Sequence, residues 1–117
     1  MTSLHDWIAA HAAGLPPPWL TCEPALTEAF HLLGNEGVPK LKAMLRRGAA
    51  VLAFELGDEL EQVLTLMDKY ADVPMSLADA CLVRMTETLP DPVVLTTDAD
   101  FKIYRRHSRQ VVPCLKP

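Results

Sequence analysis

Residues 72–80, DVPMSLADA, and residues 94–101, VLTTDADF, decide the fold of this chain. In the first stretch a proline interrupts the chain, and Ser76 then begins a helix predicted to continue to about residue 89. In the second stretch an apolar, β-branched strand predicted over 93–97 ends directly before Asp98. A helix followed by such a strand is typical of an α/β sheet and argues against an all-helical bundle.

The same alternation of helices and strands extends outward from these two stretches. Apolar residues recur at helical spacing in several segments, and shorter apolar or β-branched runs separate them. Helices are predicted over about 3–13, 23–35, 38–47 and 57–70, and strands over 19–21, 49–54 and 110–115. Residues 98–106 are predicted to form a turn with some helix. Because helices separate the strands, the sequence predicts an α/β fold with a mainly parallel sheet.

Local patterns within these elements lead to more detailed predictions. Gly34 and Gly37 are expected to separate the helices on either side of them. The apolar run 49–54 is typical of a strand that is covered on both faces. The helix over 57–70 is expected to bury one stripe of apolar side chains, formed by Leu60, Val63, Leu64 and Met67.

Length and composition indicate one domain. The chain has 117 residues, of which 50% are hydrophobic and 22% are charged, so a single domain over 1–117 is expected. No apolar stretch reaches the length of a membrane span, and the N-terminus lacks the pattern of a signal peptide, so a cytoplasmic protein is expected. Cys22, Cys81 and Cys114 stand among apolar neighbours at unrelated spacings, and we interpret them as small buried side chains.

The charge pattern bears on nucleic-acid binding. The net charge of −4 argues against a broad non-specific nucleic-acid binder. It does not exclude a nuclease, because a carboxylate site for cations itself contributes negative charge. Two basic clusters either face RNA or belong to a solvated surface: Lys40, Lys42, Arg46 and Arg47 in one segment, and Lys102, Arg105, Arg106 and Arg109 in the other.

Three carboxylates occupy positions that favour a metal site. Glu28 and Asp79 fall on mainly apolar helix surfaces, where an unpaired carboxylate is costly unless a cation or hydrogen-bond donors compensate it. Asp98 directly follows a strand, at the sheet edge where ligand sites of α/β folds gather. Carboxylate oxygens are the ligands that Mg²⁺ and Mn²⁺ prefer, and such a cluster suits water activation in phosphodiester cleavage.

Each of these acids also has a simpler interpretation. Ser76 and Asp79 have the spacing of an ordinary helix-capping pair. Asp98 could be a turn residue, and Glu28 could pair with Lys40 or Arg46. The residues by themselves leave both interpretations open.

The two stretches quoted first resemble the C-terminal half of PIN domains, and in particular VapC-like toxins of bacterial toxin–antitoxin systems. Residues 20–29, LTCEPALTEA, resemble the family's second strand and the helix that carries its conserved glutamate. The resemblance implies a three-layer α/β/α domain, Mg²⁺- or Mn²⁺-dependent ribonuclease activity, a cognate antitoxin and homodimers. It places Glu28, Asp79 and Asp98 at the family's acidic positions, with Asp100 as a further metal ligand and Thr96 or Thr97 in support.

The chain departs from the family at its beginning. PIN domains begin with an apolar strand that ends in an aspartate, and no residue before Asp6 stands at the end of such a strand, so the first strand is missing. The chain could be a fragment or a late translational start, another chain could supply the strand, or the protein could be a decayed member that no longer cuts. A catalytically impaired remnant that acts as a binding or dimerisation module is therefore the alternative function. A third hypothesis is an α/β domain that is unrelated to PIN domains.

Overall fold

A computed structural model of the protein describes residues 18–73, 75–89, 94–95, 104–107, 110–111 and 114–115. The chain divides into a first compact unit, Met1–Ala53, and a second, Phe54–Pro117. Helices and strands occur in both, so the protein is mixed α/β, as predicted. The helix predicted over 3–13 lies outside the described residues. Within the described part of the chain, no helix has the length and apolar character that crossing a membrane requires.

The first unit contains a parallel pair of strands. Strand β1 (Trp19–Thr21) is followed by helix α1 (Glu23–Leu32), helix α2 (Gly34–Arg46) and strand β2 (Ala50–Leu52). The two strands pair in parallel, with Trp19 beside Ala50. The backbone N–H of Trp19 donates to the carbonyl of Ala49 at 2.7 Å, which extends the pairing by one bond. The predictions of strand β1 and of parallel pairing across intervening helices are confirmed.

The boundary between α1 and α2 differs from the prediction. Gly34 has a positive φ of 67°, a backbone conformation that glycine adopts readily, and it begins α2 directly. Gly37 does not break the helix, because it lies buried inside α2. A Cβ atom at this position would stand 2.6 Å from the Cβ of Leu33, so the glycine allows a close approach between the two residues. The prediction that Gly37 separates two helices is therefore wrong.

Strand β2 is shorter and more exposed than its apolar sequence predicted. The strand covers Ala50 to Leu52 of the predicted run 49–54, and backbone hydrogen bonds to β1 also reach Ala49 and Ala53. Ala50 is buried, but Val51 is 38% exposed and Leu52 is 48% exposed. Since successive side chains of a strand point to opposite faces, solvent reaches both faces of β2. The prediction that this strand is covered on both faces is wrong.

In the second unit, helix α3 buries only part of the predicted stripe, of which Val63 is buried as expected. A short 3₁₀ helix (Leu56–Glu59) leads into α3 (Leu60–Lys69), which packs against helix α4 (Leu77–Thr88). Val63 and Leu66 are buried, and Tyr70 continues their stripe one turn further. Two residues of the predicted stripe, Leu60 and Leu64, are exposed. The helix is thus rotated relative to the prediction, because Leu66 and Tyr70 rather than the leucines at 60 and 64 face the interior.

Helix α4 is the most deeply buried element among the described residues. It begins and ends within a residue of the predicted bounds 76–89. Its buried residues occupy most of its circumference: Ala78, Asp79, Ala80, Cys81, Val83, Met85 and Thr86. Burial on nearly all sides is typical of a central helix.

The C-terminal segment forms short strands with different partners. Strand β3 (Val94–Leu95) pairs in parallel with β6 (Cys114–Leu115), whereas β4 (Arg105–Arg106) pairs antiparallel with β5 (Gln110–Val111). Strand structure at both ends of the predicted strand 110–115 is confirmed, and residues 112–113 lie outside the described residues. The turn with some helix predicted over 98–106 ends instead in β4 at Arg105 and Arg106, and residues 98–103 lie outside the described residues.

Both ends of α4 are capped by side chains. The hydroxyl of Ser76 accepts a hydrogen bond from the backbone N–H of Asp79 at 3.0 Å, in the manner of an N-cap serine. At the other end, the guanidinium of Arg106 donates to the carbonyls of Thr86 and Leu89. These contacts satisfy backbone groups that have no partner within a helix.

Replacing Ser76 with alanine should lower the free energy of unfolding by about 1 kcal/mol, the usual cost of losing an N-cap. Urea denaturation of the parent and of Ser76→Ala measures the difference. Thr65→Ala is the matched control, because it removes an exposed hydroxyl from a mid-helix position of α3, where it donates to Glu61 at 3.5 Å. Equal midpoints for the two variants would contradict the capping role of Ser76.

Arg106→Ala should also destabilise the protein, by roughly 1–2 kcal/mol, since bonds from charged donors to helix carbonyls are lost. The buried Nε of Arg106 has no hydrogen-bond partner in the described part of the chain. The cost of burying this group offsets part of the stability that the cap contributes, so the expected destabilisation is moderate. Arg46→Ala removes an exposed arginine from the last turn of α2 and serves as the control. If thermal and urea unfolding show the same loss of stability for Arg106→Ala and Arg46→Ala, Arg106 does not stabilise the end of α4.

Candidate functional site

Asp79 lies in the first turn of α4 and is only 7% exposed. Its chain neighbours Ala78, Ala80 and Cys81 are buried as well. This agrees with the prediction that Asp79 falls on a mainly apolar helix surface. The capping interpretation is also confirmed, because Ser76 accepts from the N–H of Asp79. This contact uses the backbone of Asp79, so it does not compete with a role for the carboxylate.

The carboxylate of Asp79 contacts a buried tyrosine. The hydroxyl of Tyr104 donates to Oδ2 of Asp79 across 3.4 Å, and Tyr104 is 0% exposed. The ring of Tyr104 packs edge-on against Tyr70, with 5.1 Å between the ring centroids and 67° between the ring planes. The hydroxyl of Tyr70 in turn accepts from the backbone N–H of Arg105 at 2.9 Å.

Two physical effects oppose each other at Asp79. Burial disfavours the ionised carboxylate, because the group loses its hydration. The first turn of a helix favours negative charge, because its N–H groups and the helix dipole point toward it. The Tyr104 hydroxyl adds a donor on the carboxylate itself.

Unlike Asp79, the other predicted site residues are either exposed or outside the described residues. Glu28 is exposed, and α1 buries none of its residues, so the prediction that Glu28 lies on a mainly apolar surface is wrong. Its carboxylate remains hydrated and needs no compensating partner. Glu28 belongs to the first unit and Asp79 to the second. Asp98 and Asp100 lie outside the described residues, as do Thr96 and Thr97.

The convergence of Glu28, Asp79 and Asp98 therefore stays a prediction. Within residues 18–73, 75–89 and 104–107, no three His, Cys, Asp or Glu side chains come together as a group that could hold a metal ion.

The two basic clusters have different structural roles. The first cluster is exposed along α2 and its C-terminal end: Lys40, Lys42, Arg46 and Arg47. In the second cluster, Arg105 and Arg106 are half-buried and donate to backbone carbonyls, Arg105 to that of Tyr104 at 3.0 Å. Lys102 and Arg109 lie outside the described residues. The guanidinium of Arg106 is therefore used at the end of α4, and an RNA-facing role of this cluster stays a prediction.

A partly exposed ion network joins α4 to the 3₁₀ helix. Nε of Arg84 lies 2.9 Å from Glu59, and Nη1 lies 3.4 Å from Glu87. Partial burial lowers the pKa of Arg84, but the hydrogen bonds and charges of Glu59 and Glu87 outweigh this effect and leave the pKa raised. The arginine therefore stays charged throughout the working pH range. Glu87 also accepts from the backbone N–H of His107, so the network reaches the end of β4.

The cysteines with described side chains behave as predicted. Cys22 and Cys81 are both 0% exposed and pack as small apolar groups. Sequence analysis did not single out Tyr104, because it stands in a segment without periodicity. The available signals were indirect: the chain has only two tyrosines, and a buried carboxylate requires a donor.

Comparison of the chain with protein-family models, with curated proteins and with solved structures finds no match.

Proposed function

We propose that this chain is an Mg²⁺- or Mn²⁺-dependent ribonuclease of the PIN type and the toxin of a toxin–antitoxin pair. The observation that carries the proposal is the buried carboxylate of Asp79 in the first turn of α4. It stands at one of the acidic positions that the sequence resemblance identifies. A homodimer and a cognate antitoxin belong to the same proposal.

The chemistry of Asp79 fits a divalent cation. Burial takes hydration away from an ionised carboxylate, and a bound cation would supply a favourable interaction in its place. Mg²⁺ and Mn²⁺ prefer oxygen ligands, and Mg²⁺ needs only one or two carboxylates because it retains several waters. Asp79, Glu28 and Asp98 would hold the ion, with Asp100 as a further ligand. When bound, the ion would activate a water and stabilise negative charge on the phosphate.

The exposed basic residues of α2 provide a surface for RNA. Lys40, Lys42 and Arg46 are all accessible to solvent. Lysine and arginine side chains bind backbone phosphates without sequence preference, so these residues would bind RNA through its phosphates.

Asp79→Asn should reduce RNA cleavage by at least about 100-fold, the scale of losing one group that stabilises developing charge. The asparagine has nearly the same shape and retains an acceptor for Tyr104 but loses the negative charge. Asp68→Asn, at an exposed position of α3, should leave cleavage unchanged and is the matched control. Rates are compared with Mg²⁺ and with Mn²⁺, alongside Asp98→Asn. Equal cleavage by the parent, Asp79→Asn and Asp98→Asn ends the nuclease assignment.

A second candidate function is a binding or dimerisation module that no longer cuts RNA. It is favoured by the exposed apolar side chains on the two strands of the first unit. Leu20 is 41% exposed, Val51 38% and Leu52 48%. Apolar side chains that are accessible on a parallel strand pair suit a protein partner, since parallel sheets are usually covered.

Two measurements separate these functions. The nuclease predicts that the parent binds Mn²⁺ in calorimetry and that Asp79→Asn binds it much more weakly. The binding module predicts no Mn²⁺ binding, together with self-association that Val51→Lys abolishes in sedimentation experiments. Lys42→Ala, at an exposed position of α2, is the control for the surface substitution.

A further inference from the structure

We infer that an exposed apolar stripe on helix α3 is a docking surface for a basic amphipathic helix of another protein. The stripe consists of Leu60, Leu64 and Met67, which follow one another along one face of the helix at spacings of four and three residues. Leu60 is 46% exposed and Leu64 is 43% exposed, and Met67 is half-buried. The inference depends neither on metal binding nor on the strand pair of the first unit, because the stripe lies wholly on α3.

Helix α3 has more apolar surface than its own unit covers. Val63 and Leu66 are buried, and Tyr70 extends their stripe by one turn. At about 100° per residue, Leu60 and Leu64 lie roughly 110° around the helix from the centre of this buried stripe. The two leucines are one turn apart, so they form a continuous patch and not a pair of scattered side chains. An amphipathic helix from a partner packs its own apolar side chains against such a patch.

The charges near the stripe determine which partner fits. Residues 55–72 contain six acidic side chains and one basic side chain, Lys69. Among the described residues, the ion pairs of this segment involve Glu59, which binds Arg84 at 2.9 Å. The other five acidic residues are all exposed: Glu55, Asp58, Glu61, Asp68 and Asp72. A partner with lysine or arginine beside its apolar side chains therefore meets complementary charge here.

Glu61 and Asp68 border the stripe along one side. They stand three residues before and four residues after Leu64, so both carboxylates are its neighbours on the helix surface. Lys69 lies about 140° around the helix from Leu64. A basic side chain next to an apolar anchor of the partner can thus reach a carboxylate on this side without meeting a lysine.

The same acidic residues disfavour other occupants of the stripe. Two copies of this chain that met through α3 would bring two segments of net negative charge together, which opposes association. Nucleic acids and anionic membrane surfaces are negatively charged as well, so they would also be repelled. A basic helix of a different protein matches both the apolar pattern and the charge.

The first test uses a synthetic peptide of 18 residues as the probe, with leucine at helical spacing and lysine at all other positions. Fluorescence anisotropy should show that it binds the parent, and replacing its lysines with glutamates should weaken binding at least about 10-fold. Leu64→Gln should raise the dissociation constant at least about 10-fold, the scale of losing a central apolar anchor. Leu32→Gln, at a leucine of α1 that is 55% exposed, is the matched control and should stay within about 2-fold of the parent.

The second test reverses one charge at the border of the stripe. Glu61→Lys should weaken binding of the lysine peptide at least about 5-fold, because like charges then face each other. Glu23→Lys makes the same change in the first turn of α1 and should stay within about 2-fold of the parent. The difference between the two variants should shrink at high salt, since ions screen exposed charges.

A third measurement needs no variant that could fail to fold. In ¹⁵N-labelled parent protein, the lysine peptide should shift the backbone amide signals of residues 60–68. Shifts confined to other elements, or equal peptide affinity in the parent and in Leu64→Gln, overturn the inference. If the parent self-associates in sedimentation experiments and Leu64→Gln alone abolishes this, a second copy occupies the stripe and the inference also fails.

Discussion

Burying the carboxylate of Asp79 costs free energy, because an ionised group loses its hydration when it leaves water. The second unit offsets this cost with local means. The first turn of α4 supplies N–H groups and a favourable dipole, and Tyr104 supplies a hydroxyl donor. Tyr104 reaches the carboxylate because Tyr70 and Arg105 hold the start of β4 beside the end of α3. The packing of α3, α4 and β4 is thus linked to the accommodation of a single charge.

The basic side chains of the described residues have two roles: some bind to other parts of the protein, and others are exposed to solvent. Arg84 and Arg106 are used within the second unit, the first in an ion network and the second as a cap on α4. Such half-buried arginines contribute their charge to neighbouring carboxylates and carbonyls, and they are not available to a nucleic acid. The exposed side chains of α2 retain full hydration and can bind phosphate.

The parallel pair in the first unit has open apolar surface. A parallel strand pair linked by helices is usually covered on both faces, yet Val51 and Leu52 are accessible on opposite faces of β2. Exposed apolar area costs free energy of roughly 25 cal/mol per Å², so covering it with a partner would stabilise the unit. This surface is why a binding function accompanies the nuclease as the second candidate.

The sequence by itself determined the α/β character, strand β1, the bounds of α4 and the apolar helix surface on which Asp79 falls, because these follow from local signals: β-branched runs, a capping serine and apolar neighbours in the chain. Only the tertiary structure decided which stripe of α3 is buried, that Gly37 lies inside a helix, and that Glu28 is exposed. Each of these depends on which side chains approach from elsewhere, and periodicity does not encode that. The contact of Tyr104 with Asp79 is the clearest case, since it joins residues 25 positions apart through packing that no local pattern records.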